Sequence, residues 1–345
     1  MEPLNPHRKV PMTLQSRATG ALHGLALGDA LGMPTQMLSR PQITARYGPF
    51  LTGFHPADAD HPLAAGMPAG AVTDDTEQAL LLAKLLLDGK GRVDPAELAR
   101  RLVAWEDDMR ARGSLDLLGP STKRAVEQVL AGTPVDEVGR YGTTNGAAMR
   151  IAPVGIAVPV VDPTALVDRV VEASSLTHNT GVALAGAAAV AAAVSAGVDG
   201  ASVPEAVEVA VSAARLAAGR GHWVAAADVA ERIVWATGLV RGLTQAQVCE
   251  RVYELVGTSL ATQESVPAAF AILSACPDDP WRAALLAASV GGDCDTIAAI
   301  AGAVGGACHG VDAFPADARE TLVRVNPALD LDATAAALLG LRERT

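Results

Sequence analysis

After a short polar lead, apolar residues recur three and four positions apart along almost the whole chain, the spacing of one face of an α-helix. Cut by capping residues, prolines and glycines, that pattern predicts helices over 16–32, 73–88, 94–112, 119–131, 146–156, 163–174, 179–197, 203–219, 222–239, 244–256, 265–276, 279–290, 295–309 and 328–343. Thr73, Asp94, Asp162, Asp278, Asp279 and Asp332 place side-chain oxygens at helix starts, and Pro163 and Pro280 suit a first helical turn. Strand-like alternation is not sustained over two adjacent segments, and no hairpin dipeptide joins two apolar runs. The longest irregular stretch, 34–71, is rich in Pro, Gly, His and Asp, and loops of that size usually carry function. With neither an internal repeat nor a long linker, the reading is an N-terminal tail over 1–15 and one all-α domain over 16–345.

Composition says how such helices must pack. Half of the 345 residues are apolar, but only 4 Phe, 4 Trp and 3 Tyr stand against 33 Gly. The core is therefore expected to be Ala, Val and Leu on closely approaching helices. Against 38 acidic residues there are 27 basic ones, a formal net charge of −11, which argues against a nucleic-acid or anionic-membrane binder. Residues 173–198 carry no Asp, Glu, Lys or Arg and are long enough to span a bilayer. Their alanines, glycines, His178 and Asn179 insert weakly, so the segment reads as a buried central helix. No apolar stretch follows the basic residues at the N-terminus, and a soluble, cytoplasmic protein is expected. Cys249, Cys276, Cys294 and Cys308 form no C-x-x-C pair, which speaks against a disulfide scaffold or a zinc site. Trp223 and Trp235 read as packing residues.

Five short segments carry candidate chemistry. Gly20, Gly24, Gly28 and Gly32 lie along one ridge of a helix, at about 1 kcal/mol each relative to alanine, and so call for a packing reason. Asp29, on the same helix, reads either as a buried carboxylate bonded to loop backbone or as a catalytic group. Thr73-Asp74-Asp75-Thr76 and Asp293-Cys294-Asp295-Thr296, the latter after Gly291-Gly292, each offer threonine and two carboxylates at a helix start. Each alone is also an ordinary helix cap. Together they form an all-oxygen ligand set for hard cations such as Mg²⁺ or Mn²⁺. If they meet, four carboxylates cannot all stay ionised without cations, and two ions about 4 Å apart would suit them. Gly142-Thr143-Thr144-Asn145-Gly146 exposes backbone N–H groups and an amide where an anion or sugar can dock, although a plain capped turn looks the same. His178, in SLTHNT, reads as a core histidine or as a catalyst.

The order GALHGLALGDALG, VTDDTEQALLLAKLL, GTTNGAAMRIAPVG, SLTHNT, GTSLATQESVPAA, GGDCDTIAAIAGAVGGACHG resembles the ADP-ribosylglycohydrolase superfamily from about Gly20 to Gly310. The superfamily includes dinitrogen-reductase-activating glycohydrolases and ADP-ribosyl-acceptor hydrolases. The resemblance implies a compact single-domain orthogonal helical bundle with a central binuclear metal cleft. It implies two Mg²⁺ (or Mn²⁺) ions on Thr73, Asp74, Asp75, Asp293, Asp295 and Thr296, with Asp74, Asp75 and Asp293 also catalytic. It further implies an ADP-ribose cradle at Gly142, Thr143, Thr144, Asn145 and Gly146, His178 near the diphosphate or ribose, and 257–267 bordering the distal pocket. The implied reaction is metal-assisted cleavage at ribose C1 of an ADP-ribosylated protein or a small ribosyl substrate. Two positions depart from the pattern. Gln36 stands where many relatives have a Glu, and an amide can orient water but cannot act as a general base. Thr143 and Thr144 stand where relatives often place an aromatic. Both leave open a smaller substrate such as a nucleoside, or a non-catalytic ADP-ribose binder; the oligomeric state stays open as well.

Overall fold

Glycines spaced four apart on two helices decide the centre of the fold. In the computed structural model, which describes residues 12–114 and 118–342, Leu14–Gly32 lies against Cys294–His309 with almost no side chain between them. A methyl group on Gly24 would run into the Gly302 carbonyl, and one on Gly302 into the Gly24 carbonyl. Gly20 meets Gly306 in the same way, Gly28 meets Ala298, and Gly32 meets the backbone of Asp295. So the glycine ridge has its packing reason, and its last step delivers Asp295.

Around that pair the described residues form only helices and turns, with two isolated bridges in place of a sheet. Gly181–Val198 packs beside the central pair. It is long and apolar enough to cross a membrane, yet its whole length is buried inside the protein. The core is alanine, valine and leucine, as the scarcity of rings demands, and Phe270 and Phe314 are its only phenylalanines buried below 2% exposure among the described residues.

Several boundaries moved for identifiable reasons. Leu14–Gly32 begins two residues before the expected start, capped by Thr13, while the proposed tail up to residue 11 lies outside the described residues. The expected 146–156 helix is two, Gly146–Met149 and Ala152–Ala157, because Pro153 has no N–H and its ring excludes the Met149 carbonyl one turn back. Val229–Leu239 starts seven residues late, where the Asp228 side chain accepts from Glu231 N. Conversely, Thr262–Ala275 starts one turn early and carries Pro267 inside it; the Gln263 carbonyl that Pro267 cannot reach accepts from Arg232 Nε at 3.1 Å. Three α-helices among the described residues were not foreseen, Arg40–Tyr47, the one-turn Val135–Val138 and Ala316–Val325.

Candidate active site

The site starts from Asp29. Thr73 stands at the N-cap of Asp74–Asp88 but makes no side-chain cap of its own. Asp29 caps instead: it accepts from the backbone N–H and hydroxyl of Thr73 and from those of Thr76, at 2.5–3.1 Å. The open reading of Asp29 therefore resolves to a buried carboxylate that holds the T-D-D turn. Because Asp29 shares a helix with Gly28 and Gly32, the same rigid element fixes both acidic turns.

The second turn is set by glycine geometry. Gly291 and Gly292 have φ of 91° and 71°, and extra side chains there would strike Leu38 and Thr258. Met37 N donates to Gly292 O, Gly292 N to Leu38 O, and Asp293 N to Thr258 O, so three chain segments meet at one corner. Across the corner, Asn145 Nδ2 donates to Asp293 Oδ2 at 2.5 Å and to Ser265 Oγ at 2.9 Å. Thr296 Oγ1 donates to Asp75 Oδ2 at 3.3 Å and joins the two acidic turns.

These residues surround one cavity of about 260 Å³. Asp74, Asp75, Asp293, Asp295, Thr296, Gln36, Thr144, Asn145 and Gly146 line it, with Met37, Leu63, Leu118, Met149 and Leu260 as its apolar wall. Four of the predicted residues stand behind that lining. The Thr73 hydroxyl is turned to Asp29. The Gly142 carbonyl accepts from Thr180 Oγ1, and the Thr143 carbonyl accepts from Thr262. His178 is fully buried, with Nε2 3.0 Å from Thr144 Oγ1. The predicted 257–267 border contributes Leu260, held by Asn145 N donating to its carbonyl.

Electrostatically the cavity is strained toward protonation. Burial raises Asp75 well above the usual carboxylate range, and the charges of Asp295, Asp74, Asp29 and Asp293 add to it. Burial lifts Asp293 to about 6 although Asn145 and Thr296 bond it, and lifts Asp29 to about 6 against its four hydrogen bonds. His178 is held well below 6.5 by burial and by the Arg150 charge, and is neutral.

A family model described as ADP-ribosylglycohydrolase matches residues 10–345. The chain belongs to the ADP-ribosylglycohydrolase family. Membership makes it a hydrolase of that type. It is 38% identical to the uncharacterized protein YegU of Escherichia coli over 95% of this chain and 98% of that one. It is 29% identical to human ADP-ribosylhydrolase ARH3 over 87% of each. A solved structure titled ADP-ribosylglycohydrolase-related protein complex superposes with a TM-score of 0.66 at 25% identity, covering 95% of this chain and 98% of that one.

In this family member the donor set fits hard divalent cations. Asp75 Oδ1 is buried and has no hydrogen-bond partner among the described residues, an arrangement that a cation would satisfy. The carboxylates are not closed into a cage: no three Asp, Glu, His or Cys side chains among the described residues are gathered to hold an ion as they stand. Gln36 Nε2 is likewise buried without a partner and lines the cavity, while its backbone carbonyl accepts from His61 Nε2 at 3.0 Å. His61 Nδ1 in turn accepts from the N–H groups of Leu63 and Ala64, so the long loop is latched to Gln36. Sequence reasoning missed His61, Gln78 and Arg150. Only Gln78 had a signal, its position one turn after Asp74.

Proposed function

We propose that the cleft hydrolyses the glycosidic bond at ribose C1 of an ADP-ribosylated protein, with two Mg²⁺ (or Mn²⁺) ions held by Thr73, Asp74, Asp75, Asp293, Asp295 and Thr296. The observation that carries this reading is the convergence of two Thr/Asp/Asp helix starts on one cavity that Thr144, Asn145 and Gly146 also line. What the ions add when bound is Lewis-acid chemistry, the acidification of water and the grip on ribose hydroxyls. The remaining work falls to the chain. The carboxylates of Asp74, Asp75, Asp293 and Asp295 stabilise positive charge developing at C1. Asn145 orients Asp293, and the Gln36 amide orients the water without taking its proton. Leu118, Met149 and Leu260 keep bulk solvent from the reacting centre.

One observation favours a second substrate. The cavity lining carries no aromatic ring and no Lys or Arg among the described residues, so neither an adenine nor a diphosphate finds its usual partner. A smaller ribosyl compound such as a nucleoside has no diphosphate to pair. A turnover screen with Mg²⁺ decides, setting ADP-ribosylated arginine and serine peptides against free nucleosides. Asp75→Ala and Asp295→Ala are expected to abolish turnover of whichever substrate is cleaved; unchanged turnover in both sinks the metal site. Gln36→Glu is expected to raise turnover at least tenfold if water activation limits the rate. Tight ADP-ribose binding with no cleavage of any ribosyl compound would instead mark a non-catalytic binder.

A further inference from the structure

Behind the cavity wall, one buried guanidinium feeds two hydrogen-bond chains that both return to the cleft. Arg150 Nη1 donates to Gln78 Oε1 at 2.9 Å, and Gln78 Nε2 donates to Asp74 Oδ2 at 3.0 Å. On the other side, Arg150 Nη2 donates to Thr177 Oγ1 at 2.6 Å. Thr177 Oγ1 is 2.7 Å from His178 Nδ1, and His178 Nε2 is 3.0 Å from Thr144 Oγ1. Arg150, Gln78, Thr177 and His178 are buried, whereas Asp74 and Thr144 line the cavity.

Chemistry fixes the hydrogen-bond directions next to Arg150 and Gln78, and contact length chooses the one at His178. Arginine has five N–H donors and no acceptor, so both chains must point away from it. Gln78 accepts with its amide oxygen and therefore turns its NH₂ to Asp74. Thr177 has one hydroxyl proton and two places for it, His178 Nδ1 at 2.7 Å or the Ser174 carbonyl at 3.4 Å. The shorter contact takes it. His178 Nδ1 then accepts, and a neutral imidazole has one ring proton left, on Nε2, which goes to Thr144 Oγ1. The hydroxyl proton of Thr144 is thereby left for the cleft.

We propose that Arg150, Thr177 and His178 are positioning residues that hold Thr144 Oγ1 as a hydrogen-bond donor into the cleft, aimed at an acceptor oxygen of the substrate. The same guanidinium, through Gln78, presents an N–H donor to Asp74. The inference rests on reading the cleft as a ribosyl site, and it gives His178 a role through Thr144 with no contact of its own to substrate.

Two measurements on the full-length protein test it. The first is NMR of ring-¹⁵N-labelled histidine without substrate, with His178→Gln assigning the signal. Wild type is expected to show Nε2 protonated and Nδ1 bare; Thr177→Val should mix the tautomers and Thr177→Ser restore them. A protonated Nδ1 in wild type overturns the relay. The second is calorimetry with ADP-ribose and with adenosine in Mg²⁺. Thr144→Val and Thr177→Val should each weaken binding by about tenfold, the worth of one hydrogen bond to a charged or strongly polar oxygen. Thr177→Ser should recover it, and the double Val variant should be no weaker than Thr144→Val, since both act through one bond. Wild-type affinity in Thr177→Val, or losses that add, overturns the relay. A loss confined to ADP-ribose assigns the acceptor to its diphosphate or distal ribose, and a loss with both ligands assigns it to the adenosine part they share. Should wild type bind neither ligand, the ribosyl reading of the cleft fails, while the histidine tautomer still decides the relay.

Discussion

The hydrogen bonds that Asp29 accepts from Thr73 and Thr76 replace the cap that Thr73 does not make for itself. Asp29→Ala would leave two N–H and two O–H groups dry and unpaired, a loss of about 3 kcal/mol or more. Asp29→Asn keeps the shape but turns an NH₂ toward those donors, so it is expected to be nearly as damaging. Denaturant midpoints of both variants check this, and a neutral Asn variant would show that the carboxylate is not the cap. At this scale the acidic and hydroxyl residues were legible in the sequence, because ligand-type side chains cluster at helix starts. Their orientation was not: nothing in VTDDT says that Thr73 turns its hydroxyl to Asp29, or that His178 stops short of the cavity behind Thr144.

Among the helices, the glycine ridge does two jobs along its length. Near Gly20 it only brings two backbones together, against Gly306 and Gly310. At Gly32 it meets the backbone of Asp295, which is part of the cleft. Gly20→Ala and Gly32→Ala should both destabilise by about 2 kcal/mol or more, since neither backbone neighbour can yield cheaply. They should differ in function: Gly32→Ala is expected to lose the thermal shift on adding Mg²⁺ and Gly20→Ala to keep it. Equal shifts in the two variants would separate the ridge from the site. Periodicity read the long helices well because each buries a stripe. It missed Arg40–Tyr47, whose eight residues are too few and too polar to show one; its start is marked by the Ser39–Gln42 capping box and by Pro41 in the first turn. It ran past Arg150 because the apolar pattern continues across Pro153, whose cost is a backbone matter.

For the whole molecule, the crowded carboxylates link stability to pH and to cations. Asp29 and Asp293 have pKa values of about 6 in the fold against 3.8 outside it. A raised value means that the folded state holds its proton more tightly than the unfolded chain. Their contribution to stability is therefore full below about pH 3.8 and is lost as pH rises through about 6. Above that, a cation that balances the charge restores what ionisation removes. Addition of Mg²⁺ is expected to raise the melting temperature by a few degrees near neutral pH, with the rise shrinking as pH falls through about 6 and protons compete. Thermal melts across pH with and without Mg²⁺ read this directly, and a shift independent of pH would place the ion away from these acids.

The sequence by itself determined the helical class, the alanine-rich core, the glycine ridge and the identity of the acidic turns. Each follows from local chemistry or from a period of 3.6 residues, and neither needs a partner from elsewhere in the chain. Tertiary structure alone decided that Asp74–Asp75 and Asp293–Asp295, more than two hundred residues apart, face one cavity with Gln36 and Asn145. It also decided that Arg150 and His178 lie buried behind the wall, bonded toward Gln78 and Thr144. The physical reason is range: periodicity and capping are set within a few residues, whereas burial, carboxylate repulsion and hydrogen-bond direction depend on which distant helices come together.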